Sequence, residues 1–153
     1  MHAASSSILL VALVAVSSPA AAQESFDLRF DHATVLVSDL ERSAAFYENI
    51  LQLAPLDTPW GPDAPVRFFS LGGSRQLHVG VTNRSIEPNK NSHLAFAVRN
   101  FDGYLRFLTD RGIAYVDFPG SSSDPQVRPD GVRQVYLQDP DGNWIEINDA
   151  APG

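Results

Sequence analysis

The chain contains no cysteine, so it has no disulfide and no thiol nucleophile. Any metal it holds must therefore be bound through nitrogen or oxygen. Basic residues are scarce: 11 Lys and Arg stand against 18 Asp and Glu, a formal net charge of −7. That balance argues against nucleic acid or an anionic membrane as a partner, since both need a basic surface. No glycine-rich phosphate loop, charge block or low-complexity tract follows residue 23. Long apolar runs are missing too. The run from Ile8 to Val16 is nine residues, whereas a spanning helix needs about 20.

That short run has another use. It is followed by Ser-Ser-Pro and by Ala20-Ala21-Ala22, a small-residue cleavage pattern, although no Lys or Arg precedes it. Residues 1–22 are expected to be an export signal, with a mature chain starting near Gln23 in the periplasm or outside the cell. With no Cys after the run, a lipoprotein anchor is excluded. Removing 22 of 153 residues leaves 131, enough for one domain.

The remaining chain repeats itself. "HATVLVSDLERSAAFYENILQLAP" from His32 and "HLAFAVRNFDGYLRFLTDRGIAYV" from His93 both run from a histidine through a short strand into an amphipathic helix. In the first, Ser38 with Glu41 reads as a capping box, and Leu40, Ala44, Tyr47 and Leu51 form the apolar stripe. In the second, Asn100 reads as the N-cap, Phe101, Leu105 and Leu108 form the stripe, and Gly112 ends it. Three strand candidates follow each helix, at 53–58, 65–71 and 75–82, then at 114–118, 132–138 and 143–148. Each half thus reads β-α-β-β-β.

The polar exceptions recur with the apolar pattern. Applying a period of two to each strand puts the bulky aliphatic residues on one face, toward the helices. The other face carries one potential ligand among small or polar residues. His32 shares its face with Thr34, His78 with Gln76 and Gly80, His93 with Ala95 and Ala97, and Glu146 with Trp144 and Asn148. Gln134, Tyr136 and Gln138 are expected on the same side of their strand. A lone strand histidine is more often an ordinary surface or core residue. Four nitrogen and oxygen donors in repeat-equivalent positions instead predict a divalent transition-metal site, His32, His78, His93 and Glu146, lined by Thr34, Gln76, Ala95, Gln134, Tyr136, Trp144 and Asn148. Imidazole with carboxylate suits Zn, Ni, Co, Mn or Fe; it suits Ca and Mg poorly.

"DHATVLVSDLERSAAFYENILQL", "SHLAFAV" and "YLQDPDGNWIEI" resemble the vicinal oxygen chelate superfamily of glyoxalase, bleomycin-resistance and dioxygenase-like proteins. The resemblance implies an α+β fold over residues 28–149. Two βαβββ modules, 28–82 and 92–149, joined by a linker at 83–91, would form a curved mixed-sheet half-barrel around a central metal site. Carried over by position, it gives the same four ligands, His32, His78, His93 and Glu146. It also implies a homodimer, as do the exposed strand edges of such modules.

The resemblance implies a metal-dependent, glyoxalase-like lyase or isomerase acting on a small oxygenated substrate that chelates the metal, with Glu146 and His78 as catalytic candidates. One alternative is an Fe(II) extradiol-type dioxygenase using His32, His93 and Glu146, with His78 beside them. Another is a binding protein of bleomycin-resistance type, without chemistry. Three departures from the family are visible. His78 stands where glyoxalase I has a glutamate, which argues against glutathione-dependent isomerisation. No counterpart of the fosfomycin enzymes' cation-binding loop appears, which argues against thiol transfer. Gln52 stands where relatives often have glycine, a matter of local stability. The polar stretch "FPGSSSDPQVRPDG", 118–131, reads as a lid or as a disordered loop, and Arg133 as a rim residue within reach of an anion or in solvent.

Overall fold

The computed structural model describes residues 26–151, so the expected export signal lies outside the described residues. The element order is β1 (His32–Val37), α1 (Leu40–Asn49), β2 (Pro55–Leu56), β3 (Val66–Ser70) and β4 (Gln76–Val81). It then repeats as β5 (Leu94–Ala97), α2 (Phe101–Asp110), β6 (Gln126–Val127), β7 (Arg133–Gln138) and β8 (Trp144–Asn148). The two four-stranded sheets have matching orders, β1-β4-β3-β2 and β5-β8-β7-β6. In each, the first and last strands run parallel and the other pairs run antiparallel. This is the expected pair of βαβββ modules.

Period-two patterning decides which face of each sheet the helices cover. Val37, Leu77 and Val79 from the first sheet are fully buried, as are Val135 and Ile145 from the second. They join Ala44, Phe46, Tyr47, Phe101, Leu105 and Leu108 of the two helices in one continuous core. Burying a side chain of this kind contributes roughly 1.5–3 kcal/mol. His32, Thr34, Ala95 and Ala97 lie on the uncovered faces and are exposed. Among the described residues no helix is long and apolar enough to cross a membrane.

The helix ends correct one expectation. Asn100 caps α2 by accepting from Gly103 N–H at 3.1 Å, as its sequence predicts. The cap of α1 is Asp39, whose carboxylate accepts from Arg42 N–H at 3.0 Å, and not Ser38. Ser38 is engaged elsewhere, donating its N–H (3.0 Å) and its hydroxyl to Asp141. Glu41, freed from a capping box, pairs with Arg67 at 2.6 Å. Both helices leave through a left-handed residue, Gly112 at φ +68° after α2 and Gln52 at φ +55° after α1.

The expected strand at 114–118 is also corrected. Only Val116 bridges β7, opposite Tyr136, and the fourth strand of the second sheet is β6, farther along the chain. The Pro- and Gly-rich composition of 117–125 breaks the edge into two short pieces. Residues 118–131 are held by hydrogen bonds of their own, among them Arg128 N–H to the Val132 carbonyl at 2.8 Å.

The modules are joined through the Asp139-Pro140-Asp141-Gly142-Asn143 turn. Asp139, buried, accepts from the Tyr47 hydroxyl at 2.9 Å, from Asn143 Nδ2 at 2.8 Å and from two backbone N–H groups of its own turn. Asn143 Nδ2 also donates to the Leu36 carbonyl at 3.0 Å, on the outer edge of β1. Gly142, at φ +86°, has Pro88 of the linker packed so close that an added Cβ would fall 2.9 Å from its ring.

Candidate metal centre

His93 stands one residue before β5, and its Nδ1 lies 2.7 Å from the Lys90 carbonyl. A carbonyl only accepts, so Nδ1 donates to it and leaves Nε2 for other partners. That Nε2 faces Glu146 Oε2 at 3.2 Å. Glu146 comes from β8, paired with Ala95 on β5 in parallel register. It is buried, at 5 % exposure, and fully occupied: the Tyr136 hydroxyl donates to Oε2 at 2.6 Å and Asn148 Nδ2 to Oε1 at 2.6 Å. Burial alone would raise its pKa; these hydrogen bonds and the adjacent His93 outweigh that and hold it below the usual glutamate value. The Tyr136 phenol is pushed well above its ordinary pKa, by burial first and then by its hydrogen bond to Glu146 and the Glu146 charge.

The His93–Glu146 spacing suits a shared proton, which makes the contact an ion pair, or a divalent ion. A lone pair and a carboxylate oxygen facing each other repel unless a cation or a proton lies between them. Two ligands each about 2.1 Å from a metal, at a right angle, sit about 3.0 Å apart. The His93–Glu146 separation fits that spacing, and both carry the outer hydrogen bonds that metal ligands need for orientation.

His32 and His78 form the second pair. They face the same way because Thr34, two residues after His32, is register partner to His78. The rings stack, with centroids 4.2 Å apart and planes 16° from parallel. Phe68 covers the other side of His78 at 3.7 Å and 3°. His78 Nε2 lies 2.9 Å from the Gln76 amide oxygen, so Nε2 carries the proton and Nδ1 is free. Its pKa is lowered by burial and by His32, against a smaller opposing effect of Asp31. His32 Nδ1 bonds Asp31 at 2.6 Å.

Lone pairs lie in the ring plane, and planes this close to parallel do not meet within bonding distance, about 2.1 Å, of both nitrogens. As placed, the stacked rings do not aim at one ion. Among the described residues, no three His, Cys, Asp or Glu side chains come close enough to hold a metal. One chain brings the four predicted ligands together as two pairs, not as a single cluster.

The other predicted residues fall on the expected faces. Gln76 and Asn148 orient His78 and Glu146, Tyr136 donates to Glu146, and Gln134 donates to Gln126 at 3.3 Å. Thr34 and Trp144 line a cavity of about 210 Å³ with His93 between the modules. Ala95 is exposed and lines another, of about 540 Å³, with Phe30 and Leu71. Arg133 is removed from consideration as an anion ligand, because Asp149 (2.7 Å) and Asp102 (2.8 Å) already hold it.

Sequence reasoning missed three neighbours of the site. Arg128 Nη1 approaches Glu146 Oε1 to 3.8 Å from a loop. Lys90 lies in the linker, with its ammonium over the Trp144 ring. Phe68 stacks on His78. The sequence carried a signal only for Phe68: alternation in 65–71 marks its face, while strand register sets it opposite His78.

A profile of the Glyoxalase/Bleomycin resistance protein/Dioxygenase superfamily matches residues 29–147. By sequence the chain is similar to the metallothiol transferase FosB of Shouchella clausii, 25% identical over 123 residues, 77% of each chain. It is also similar to the uncharacterized protein YwbC of Bacillus subtilis, 23% identical over 78% of this chain and 95% of that one. Among solved structures, Oxidase ChaP-H1 superimposes with a TM-score of 0.67 at 27% identity, covering 81% of this chain and 97% of that chain. A putative glyoxalase family protein from Bacillus anthracis gives 0.65 at 26%, covering 82% and 97%.

Proposed function

The chain belongs to the Glyoxalase/Bleomycin resistance protein/Dioxygenase superfamily, and from that premise we propose a divalent-metal-dependent enzyme of redox-neutral, lyase or isomerase type. Its substrate would be a small molecule presenting two adjacent oxygens. The observation that carries this reading is the His93–Glu146 pair, 3.2 Å apart, with His93 Nδ1 tied to the Lys90 carbonyl and Glu146 buried. Because one chain holds His93 and Glu146 apart from His32 and His78, the reading includes a homodimer in which the partner subunit's His32 completes the site. That named relatives include a transferase and an oxidase supports catalysis over simple sequestration.

A divalent ion in this site would supply Lewis acidity to the chelated oxygens, easing negative charge that develops on them. The residues do the rest. Tyr136 and Asn148 keep Glu146 ionised and fixed in place. His78, neutral and with Nδ1 free, is the group placed to take a proton from substrate, since a base must be unprotonated at working pH.

A second reading, an Fe(II) extradiol-type dioxygenase, shares that ligand set and is favoured by the likeness to Oxidase ChaP-H1. If His78 stays out of the coordination shell, two histidines and one carboxylate remain, with positions open for substrate and O₂. Metal analysis of the purified protein, followed by oxygen-electrode traces of the iron-loaded form with catechols, separates the readings. Bound metal without O₂ uptake supports the redox-neutral enzyme. Ring opening with O₂ uptake, abolished by Glu146→Ala, establishes the dioxygenase. Failure to retain any divalent ion returns the protein to the binding class.

A further inference from the structure

Lys90, near the end of the 83–91 linker, is tied to the second sheet through both its backbone and its side chain. Its carbonyl accepts a hydrogen bond from His93 Nδ1 at 2.7 Å. Its ammonium donates to the carbonyls of Asp117 and Phe118, each at 3.0 Å. The same ammonium sits 4.0 Å from the Trp144 ring centroid, 5.4 Å from that of Tyr136 and 5.9 Å from that of Phe118. A cation over aromatic faces is held most firmly when desolvated, and two carbonyls complete its coordination here.

The loop it grips is an excursion from the edge of the second sheet. The chain leaves β7 after the Val116–Tyr136 bridge and returns where Gln126 pairs with Gln134. In between, Asp117 organises a turn by accepting from the backbone N–H groups of Ser121 (2.7 Å) and Ser122 (3.2 Å). Phe118 packs against Tyr136 at 5.4 Å, and its N–H donates to Gln126 at 3.2 Å. Two residues past Gln126 stands Arg128, which approaches Glu146. Where this loop sits therefore determines where Phe118 sits against Tyr136, the donor to Glu146.

We propose that Lys90 is a positioning residue: its ammonium latches residues 117–125 onto Trp144 and Tyr136 and thereby holds Phe118 at the rim of the site. The rim's role in ligand binding rests on the functional reading above; the latch itself does not. Lys90→Met keeps an apolar stem and the backbone carbonyl that His93 uses, and removes the ammonium with its charge and its two hydrogen bonds.

The test begins in a Trp60→Phe background, where Trp144 is the one tryptophan left. Acrylamide quenching of Trp144 should rise at least about twofold in Lys90→Met, as local opening exposes the ring. Lys90→Arg, which can still donate to both carbonyls, should restore protection. On zinc-loaded protein, Lys90→Met should weaken binding of oxalate, used as a bidentate probe, by about tenfold, the lower end of what outer residues contribute at metal sites. Zinc affinity should hardly change. Unchanged quenching in folded Lys90→Met overturns the latch, and zinc loss as large as in Glu146→Ala shows action on the ligands and overturns it too. If Lys90→Met does not fold, Lys90→Gln, which keeps a donor without charge, serves the same comparison. Wild-type protein that binds no zinc sinks the metal-enzyme reading, while the quenching result still decides the latch.

Discussion

His93 Nε2 faces Glu146 Oε2 at 3.2 Å while His93 Nδ1 is committed to the Lys90 carbonyl. On the proposed reading, this nitrogen and this carboxylate are the two donors that a divalent ion would use. Glu146→Ala and His93→Ala should each weaken zinc affinity by more than the roughly 10–100-fold typical of outer residues. The stacked His78 gives a contrast. If it stays off the ion, His78→Ala should cost no more than that range. Competition against a chromophoric chelator measures all three, and equal losses for His78 and Glu146 would establish a four-ligand set.

Assembly between copies makes a sharper prediction. His32→Ala and Glu146→Ala proteins should each bind zinc poorly. Mixed and reassembled, a heterodimer would regain one intact site, built from His32 of one chain with His93 and Glu146 of the other. Zinc stoichiometry rising toward one per dimer on mixing is the expected outcome. No recovery, with mixed dimers demonstrated by mass spectrometry, would mean that each chain builds its site alone.

Gln52 holds φ +55° at the exit of α1, where the Leu53 N–H reaches the Tyr47 carbonyl at 3.1 Å. A left-handed conformation costs a side-chain-bearing residue roughly 1–2 kcal/mol, and glycine largely escapes that cost. Gln52→Gly should stabilise the protein by about 1 kcal/mol, less some added freedom in the unfolded chain. Chemical denaturation reads the change. Gly112→Ala, at the matching exit of α2, should move stability the other way.

Asp141 ties the modules together from the opposite side of the junction, accepting from Ser38 and Ser43 with Arg42 nearby. Burial works to raise its pKa, but these hydrogen bonds prevail and its pKa lies below the usual value. A depressed folded-state pKa means stability that is complete above the ordinary aspartate range and lost as pH falls through the folded value. Thermal stability should therefore change little from pH 7 to about 5 on this account and fall below about pH 4, near the unfolded aspartate pKa. Asp141→Asn should flatten that acid limb while lowering stability at pH 7. An unaltered acid limb in the variant would assign it to other carboxylates.

The architecture was legible because its causes are local. Alternation in "HATVLV", "QLHVGV" and "WIEIN" fixes which residues meet the helices, whatever lies farther away. The 3.6-residue period likewise marks Phe101, Leu105 and Leu108 for burial, and Asn100 caps α2 with a neighbour three residues on. The placement of His32, His78, His93 and Glu146 on uncovered faces followed from the same rule.

Tertiary structure decided whatever depended on competition between near and distant partners. Ser38 had the local pattern of a cap, but Asp141, 103 residues away, claims its side chain, and Asp39 caps instead. The loop at 117–125 finds its partner, Lys90, in a remote linker, which carries no periodic signal of its own. The four ligands obeyed the strand period and still parted into two pairs. Period two selects a face; it does not set the ring plane that a stack with Phe68 imposes, or the distance between two sheets that share no strand.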